Sequence, residues 1–275
     1  MASRLGGRNC LIVGGTSGIG LASARRFLDE KARVVVAGLE TEEALAAVAE
    51  LAPRGSVWFV AADVRNSNSV AALFQATLEH LGGRLDVLFH VAGISGRKFG
   101  DGLLHDCTGS GWDEVMSVNA LGAFLTNREA VKVMRQQAVD VTGLRGTVLN
   151  MGSVVDVSPA PKHFGTIAYA ASKGAVRALT LAAAACYAPE RIRFNLLAPG
   201  LIDTPMAARA VGDPVVRSYL QAKQPIAGGP GTVDDVAEAA LFLCEPASRF
   251  VTGTVVTIDG GWCVSEGPYE GGTSP

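Results

Sequence analysis

Residues 9–20 read Asn-Cys-Leu-Ile-Val-Gly-Gly-Thr-Ser-Gly-Ile-Gly (NCLIVGGTSGIG) and run on into LASARRFLDEK at 21–31. Asn9 to Val13 is a short apolar, β-branched run of the kind that makes a buried strand. Gly20 to Lys31 carries a helical pattern. Between them the glycines let the chain turn tightly and let backbone amides approach an anion, while the start of a helix offers partial positive charge. A glycine cluster alone is a weak signal and a plain βα turn is the alternative reading. Strand, glycines and helix in that order are a stronger one.

The same alternation continues along the chain. Arg33–Ala37, Val57–Ala61, Leu85–Val91, Thr147–Met151, Ile192–Leu197 and Val255–Ile258 read as further buried strands. Helical stretches lie near Ser67–Leu81, Trp112–Gln137, Ala168–Ala188 and Val233–Leu243. This pattern predicts an α/β fold, a doubly wound, seven-stranded parallel sheet with helices on both faces. Seven strands suit one sheet, so residues 1–275 are expected to form a single domain. The Gly- and Pro-rich tail at 265–275 reads as a flexible terminus, with a subunit-crossing arm as the alternative.

A hydrophobic content of 48% suffices for a large core, and a net charge of −2 gives no electrostatic case for nucleic acid or an anionic membrane. The five cysteines, Cys10, Cys107, Cys186, Cys244 and Cys263, are scattered and form no CxxC, so neither a disulfide framework nor a metal site is expected. Met1–Gly7 is short and polar, and the apolar run Leu179–Ala185 is too short to cross a bilayer. The chain reads as a cytoplasmic protein.

Chemistry is signalled by Tyr169 and Lys173 in AYAASKGA, four residues apart, and by Ser153 in LNMGSVV sixteen residues before the tyrosine. Four residues are about one helical turn, so a phenol and an ammonium share a face. A free tyrosine titrates near pH ~10 and a neighbouring positive charge favours its phenolate, which brings it towards acid–base work near neutrality. The spacing alone is a common accident.

GGTSGIG, Asn119 in SVNALGAFL, Ser153, YAASK, and Asn195–Met206 (NLLAPGLIDTPM) together resemble the short-chain dehydrogenase/reductase family, in order, from the first strand to Gly261. The resemblance implies a Rossmann-like fold and reversible hydride transfer between a nicotinamide cofactor and a secondary alcohol or ketone. It implies that Asn119, Ser153, Tyr169 and Lys173 are catalytic. Tyr169 would exchange the substrate proton, Lys173 would stabilise the phenolate and hold the cofactor ribose, and Ser153 would hold the substrate oxygen. Asn119 would anchor a water linking Lys173 to solvent. It further implies cofactor contacts from Gly14, Thr16, Ser17, Gly18, Ile19 and Gly20 at the phosphate turn, from Leu39, and from Asp63 and Val64 at the adenine. Ala92 and Gly93 would follow beside the ribose, and Pro199, Gly200, Ile202 and Thr204 around the nicotinamide.

The chain departs from the family pattern at Val13, where Thr is usual, and at His90-Val91, where Asn-Asn is usual. Altered local packing, with His90 in a core or strand-end role, is expected there. For NAD against NADP, the acid usually found at the end of the second strand is replaced by Gly38 and Leu39. Glu40 lies within reach and would repel a 2′-phosphate, whereas Arg65 argues the other way. NAD is therefore expected, with NADP as the alternative. Ser153 and Tyr169 are separated by a longer segment than is usual, which makes Lys162, His163 and Phe164 candidates for substrate contact. Ile94–Gly102 and Thr204–Gly228 are the other variable walls, the latter a helical lid containing Pro205, Met206 and Pro214. Apolar Met206, Val211 and Leu220 suit a moderately hydrophobic substrate, and amphipathic packing explains them equally well.

Rival readings are an NADPH-dependent 3-oxoacyl-(acyl-carrier-protein) reductase, with Arg97 and Lys98 facing the acidic carrier, a non-catalytic NAD(P) sensor, and a sugar-nucleotide epimerase or dehydratase. The last would need a larger C-terminal domain than follows Gly260 here. Small residues Ala170, Ala171, Ala175, Ala178 and Ala182 permit close helix packing, and a homo-oligomer, tetramer or dimer, is expected.

Overall fold

The run Asn9–Val13 forms β1, and all five of its residues are buried, as suits an apolar strand covered on both faces. It pairs with β2 (Arg33–Gly38) on one side and β4 (Val87–His90) on the other. With β3 (Val57–Ala61), β5 (Gly146–Met151), β6 (Ile192–Pro199) and β7 (Val255–Ile258), these make a seven-stranded sheet in the order β3-β2-β1-β4-β5-β6-β7. Every strand pairing is parallel. This computed structural model describes residues 3–266.

Helices α1 (Gly18–Asp29), α2 (Glu42–Leu51), α3 (Ser67–Leu81), α4 (Gly109–Val115), α5 (Gly122–Gln136) and α6 (Pro161–Phe164) lie between or beside the first strands. They are followed by α7 (Ile167–Tyr187), α8 (Ala208–Gly212), α9 (Pro214–Lys223) and α10 (Val233–Cys244). Phe27 and Leu28 of α1 pack with Val236 and Leu241 of α10 on one face of the sheet. Val70, Leu73 and Phe74 of α3 pack with Leu125 and Val131 of α5 on the other. The two layers are what the alternating sequence predicts.

Local side-chain caps set several helix starts. The Thr41 hydroxyl accepts from the Ala44 amide, Asn66 accepts from the amides of Asn68 and Ser69, and Thr232 and Asp235 form a reciprocal capping box. Helix α1 is different: its N-cap, Ser17, makes no side-chain cap and no acid occupies the first turn. Strand order reverses between β1 and β4, so the carboxyl ends of these two strands open a crevice at the start of α1. Two glycines are required there. Gly14 has φ +84°, and a Cβ on it would lie 2.6 Å from the Ala92 amide nitrogen. A Cβ on Gly20 would lie 2.0 Å from the Gly14 carbonyl oxygen.

Two elements differ from the sequence reading. Helix α2 lies outside the expected helical stretches, although Thr41 followed by Glu42 and Glu43 is a capping signal. The single helix expected over Trp112–Gln137 is instead α4 and α5 joined by a π-helical turn at Met116–Leu121. An inserted residue of this kind has no signature in the 3.6-residue period. Of the tail, Ser265 is held: its amide donates to the Gly261 carbonyl at 2.8 Å, and Lys223 Nζ donates to its carbonyl at 3.2 Å. Residues 267–275 lie outside the described residues.

Candidate active site

Helix α7 brings Tyr169 and Lys173 onto one face, as the spacing predicts, and β5 delivers Ser153 beside them. The Ser153 hydroxyl faces the Tyr169 phenol closely enough to favour its ionised form. Lys173 is 4% exposed; its Nζ donates to the Met151 carbonyl at 2.9 Å and lies 5.6 Å from the centre of the Tyr169 ring. Burial pushes the Tyr169 phenol above its ordinary value, against which the Ser153 hydroxyl works; the Asp156 carboxylate adds to the rise. Burial takes the Lys173 ammonium down to about 8, opposed by Asp156. Asp156 is itself neutralised by Arg177, one turn beyond Lys173, through bonds of 2.5 and 2.8 Å. The protein alone therefore does not depress the phenol, contrary to the simplest reading of the Tyr–Lys spacing.

Asn119 sits in the π-helical turn, 1% exposed. Its carbonyl oxygen accepts from the Ile94 amide at 2.8 Å, and its amide donates to the Ile94 carbonyl and to Ser172 Oγ, both at 3.0 Å. The side chain thus staples the loop after β4 to α7, and its polar atoms are committed to protein partners. A Cβ on Gly93 would lie 3.1 Å from Asn119 Oδ1 and 3.5 Å from Lys173 Nζ, so the glycine leaves room for both.

Sequence reasoning did not single out Asp101. Its side chain is 7% exposed and accepts from the Ala168 amide at 3.0 Å and the Tyr169 amide at 2.9 Å. The N-cap residue of α7, Thr166, makes no side-chain cap. A carboxylate from a distant loop therefore caps the helix that carries Tyr169 and favours its positive end. We expect Asp101→Ala to lower the urea midpoint by the equivalent of about 1–2 kcal/mol, the range for a lost helix cap. Turnover is expected to fall with it, because the Tyr169 backbone is released. A variant of unchanged midpoint and turnover removes this role.

Ser153, Tyr169 and Lys173 line a cleft of about 400 Å³. Gly14, Ser17, Gly18 and Ile19 line it at the α1 end, Ala92 and Gly93 at the end of β4, and Pro199, Gly200, Ile202 and Thr204 after β6. Among the sequence-predicted residues, Thr16, Gly20, Leu39, Asp63, Val64 and Asn119 do not line it. Gly20 is packed against the Gly14 carbonyl, Val64 lies where a Gly122 Cβ would go, and Leu39 is 60% exposed beyond the end of β2. The Thr16 hydroxyl faces Gly38, on which a Cβ would lie 3.2 Å from the hydroxyl oxygen. Asp63 is bound by Arg65, whose Nη2 donates to it at 2.7 Å and whose Nη1 reaches Glu114 at 3.1 Å.

The residues fit a dinucleotide. The uncapped amides of α1 open on the cleft between two glycines that admit no side chain, which suits a pyrophosphate. Of the departures from the usual pattern, Val13 and His90 are buried, while Val91 lines the cleft. His90 is 2% exposed, its Nδ1 lies 3.0 Å from Thr126 Oγ1, and burial, then the Lys173 charge, drive it down to about 3, so it stays neutral.

The longer segment before Tyr169 splits. Lys162 is exposed, the His163 ring lies 4.6 Å from that of Tyr219, and Phe164 lines the cleft against Trp262 at 5.6 Å between ring centres. Trp262, which no sequence motif marks as a cleft residue, is 1% exposed and its Nε1 donates to the Ser158 carbonyl at 3.0 Å. The lid is α8 and α9 after a 3₁₀ turn at Pro205–Ala207. Met206 lines the cleft, whereas Leu220 on α9 is fully buried in a cluster with Val154 and Trp262.

Comparisons agree with this geometry. The family model described as enoyl-(acyl carrier protein) reductase matches residues 13–263. A 2,5-dichloro-2,5-cyclohexadiene-1,4-diol dehydrogenase of Sphingobium indicum is 34% identical, covering 96% of this chain and 99% of that protein. A 2-(R)-hydroxypropyl-CoM dehydrogenase of Xanthobacter autotrophicus is 36% identical, covering 93% and 98%. Among solved structures, levodione reductase superimposes with a TM-score of 0.84 at 33% identity over 94% of this chain and 99% of that one. A short-chain type dehydrogenase/reductase from Mycobacterium ulcerans gives 0.85 at 28% identity over 96% and 93%. The chain belongs to the short-chain dehydrogenase/reductase family and is an oxidoreductase of CH–OH groups that works with a nicotinamide cofactor.

Proposed function

We propose that residues 1–275 act as one dinucleotide-binding oxidoreductase domain that uses NAD to interconvert a secondary alcohol and its ketone, with Asn119, Ser153, Tyr169 and Lys173 as its catalytic set. The observation that carries this reading is the meeting of Ser153, Tyr169 and Lys173 in the cleft onto which the uncapped amides of α1 open. When bound, the nicotinamide supplies or accepts the hydride. Tyr169 Oη takes the hydroxyl proton in oxidation and returns it to the forming alkoxide in reduction. Ser153 Oγ, facing that phenol, holds the substrate oxygen and stabilises its developing charge. Lys173 Nζ, held by the Met151 carbonyl, keeps a positive charge beside the ring and faces the ribose position next to Gly93. Asn119 fixes the loop and helix that frame this arrangement.

NAD is favoured at the 2′ position by Glu40, exposed just past β2, while Arg65 is held by Asp63 and Glu114. Gly14, Thr16, Ser17, Gly18, Ile19, Gly20, Leu39, Asp63, Val64, Ala92, Gly93, Pro199, Gly200, Ile202 and Thr204 are the proposed cofactor residues with Tyr169 and Lys173. The reading includes a cytoplasmic location, in keeping with cysteines that are all free among the described residues, and no described helix is long and apolar enough to cross a membrane. It also includes a homo-oligomer, tetramer or dimer, supported by Leu121 just before α5, Phe124 on α5 and Leu181 on α7, each 40–44% exposed.

Titration with NADH and NADPH, followed by absorbance at the nicotinamide band with a panel of ketones and secondary alcohols, tests it. NADH preference with turnover is the expected result. Tighter NADPH binding would overturn the Glu40 argument and favour the carrier-protein ketoreductase, whose supporting observation is the pair Arg97 and Lys98 at the cleft. Binding without turnover of any panel member would favour a sensor.

A further inference from the structure

The charged side chains that line the cleft are Arg97, Lys98, Lys173 and Arg209; all are cationic, and no carboxylate lines it. The imbalance is local, because the whole chain carries a net charge of −2. Many arginines elsewhere are met by acids, Arg4, Arg25, Arg26 and Arg54 among them, while others such as Arg193 and Arg217 are held by backbone carbonyls. Arg97 and Arg209 have no carboxylate partner among the described residues. Arg97 donates to the His163 carbonyl at 3.0 Å, which sets it on the wall formed by the segment before Tyr169. The nearby acid, Asp101, already spends both oxygens on the Ala168 and Tyr169 amides.

Arg97 comes from the loop after β4, and Arg209 from α8 in the lid, so they reach the cleft from different elements. The Arg97 guanidinium is held below its ordinary value by partial burial and then by the Arg209 charge, which places the two in each other's field. Two like charges lining one cleft, opposed at Arg97 only by the already committed Asp101, form a site for an anion, and the guanidinium fork matches a carboxylate, sulfonate or phosphate in two-point contact. The same cleft that holds both this pair and the Ser153–Tyr169 pair is also lined by apolar Val154, Val155, Phe164 and Met206.

We propose that the substrate carries an anionic group, separated from its reacting carbinol or carbonyl carbon by an apolar segment, and that Arg97 and Arg209 bind that anion. The proposal rests on the dehydrogenase reading and narrows its substrate class. It differs from a carrier-protein surface, because the two guanidinia line the cleft and address a charge on the substrate itself.

The test uses methyl ketones ending in a carboxylate after a graded run of methylenes, each beside its uncharged carboxamide. Binding to the protein–NADH complex is read by NADH fluorescence, and kcat/KM is read in parallel. At least one carboxylate is expected to exceed its amide by about tenfold or more in both readouts, as befits a charge-assisted hydrogen bond at a partly solvated mouth. The advantage should shrink as salt is raised. Arg97→Ala and Arg209→Ala should each bring the carboxylate-to-amide ratio towards one, and Arg209→Lys should keep part of it. Equal binding of acid and amide along the whole series overturns the proposal. So do variants that lower acid and amide alike, or that shift only NADH affinity. Activity confined to carrier-linked 3-oxoacyl substrates, with free acids no better than amides, overturns it too. Carboxylate-selective binding without turnover would uphold the anion site while removing the dehydrogenase reading, so the two failures are separable.

Discussion

Replacing Tyr169 by Phe is expected to cut turnover by at least about a thousandfold, the upper range for loss of a general acid–base group, while NADH binding persists. The ring stays in place: it packs beside Lys173, and its backbone amide is still held by Asp101. Only the oxygen that Ser153 meets is removed. Fluorescence titration and single-turnover absorbance on the same preparation separate the two effects. Near-normal turnover would remove Tyr169 from the mechanism. Because burial raises the free phenol, oxidation by the wild type should also gain as pH rises towards that phenol's titration, and this dependence should vanish in the variant.

The second large effect is expected at Lys173. Lys173→Met should weaken NADH binding and lower turnover together, since the ammonium is buried beside the Tyr169 ring and the Gly93 backbone. An effect on neither would end the proposed double role. The same substitution changes how stability depends on pH. The lysine titrates at about 8 when folded, below its ordinary value of 10.5. Between those two values the unfolded chain binds the extra proton, so this group's contribution to stability rises with pH. From pH 7 to about pH 9.5 that rise amounts to about 2 kcal/mol. Urea unfolding of wild type and Lys173→Met across this window reads it, because the buried thiols are common to both proteins and an unfolded tyrosine titrates near pH ~10, above most of the window. A parallel pH response in the two proteins would show that Lys173 is not desolvated as described.

Strand periodicity and glycine placement are legible in the sequence because they are local. Four buried apolar residues after Asn9, a glycine turn and a helix at 9–31 specify a βα unit, and repetition of that unit specifies parallel strands with covered faces. The alignment of Tyr169 with Lys173 is legible for the same reason: one helical turn sets them on one face wherever the helix lies. Helix α2 and its Thr41 cap are equally local. The π-helical turn is not legible, because the residue it inserts is stabilised by what Asn119 meets across space, namely Ile94 and Ser172.

Long-range partnerships account for the rest. Asp101 lies far from α7 in sequence yet caps it, Asp156 is set against Arg177, and Arg65 occupies the carboxylate of Asp63. Arg97 and Arg209 share one cleft although the lid and the loop after β4 lie on opposite sides of the catalytic helix in the chain. The order of residues alone specifies the layered sheet, the phosphate turn and the identity of the acid–base pair, since each depends on side-chain period and backbone freedom over a few residues. Packing across the fold decides which charges are paired, which are left facing the cleft, and how far burial moves Tyr169 and Lys173 from their ordinary titration. Desolvation and Coulomb energy depend on distances between residues that the chain order does not contain.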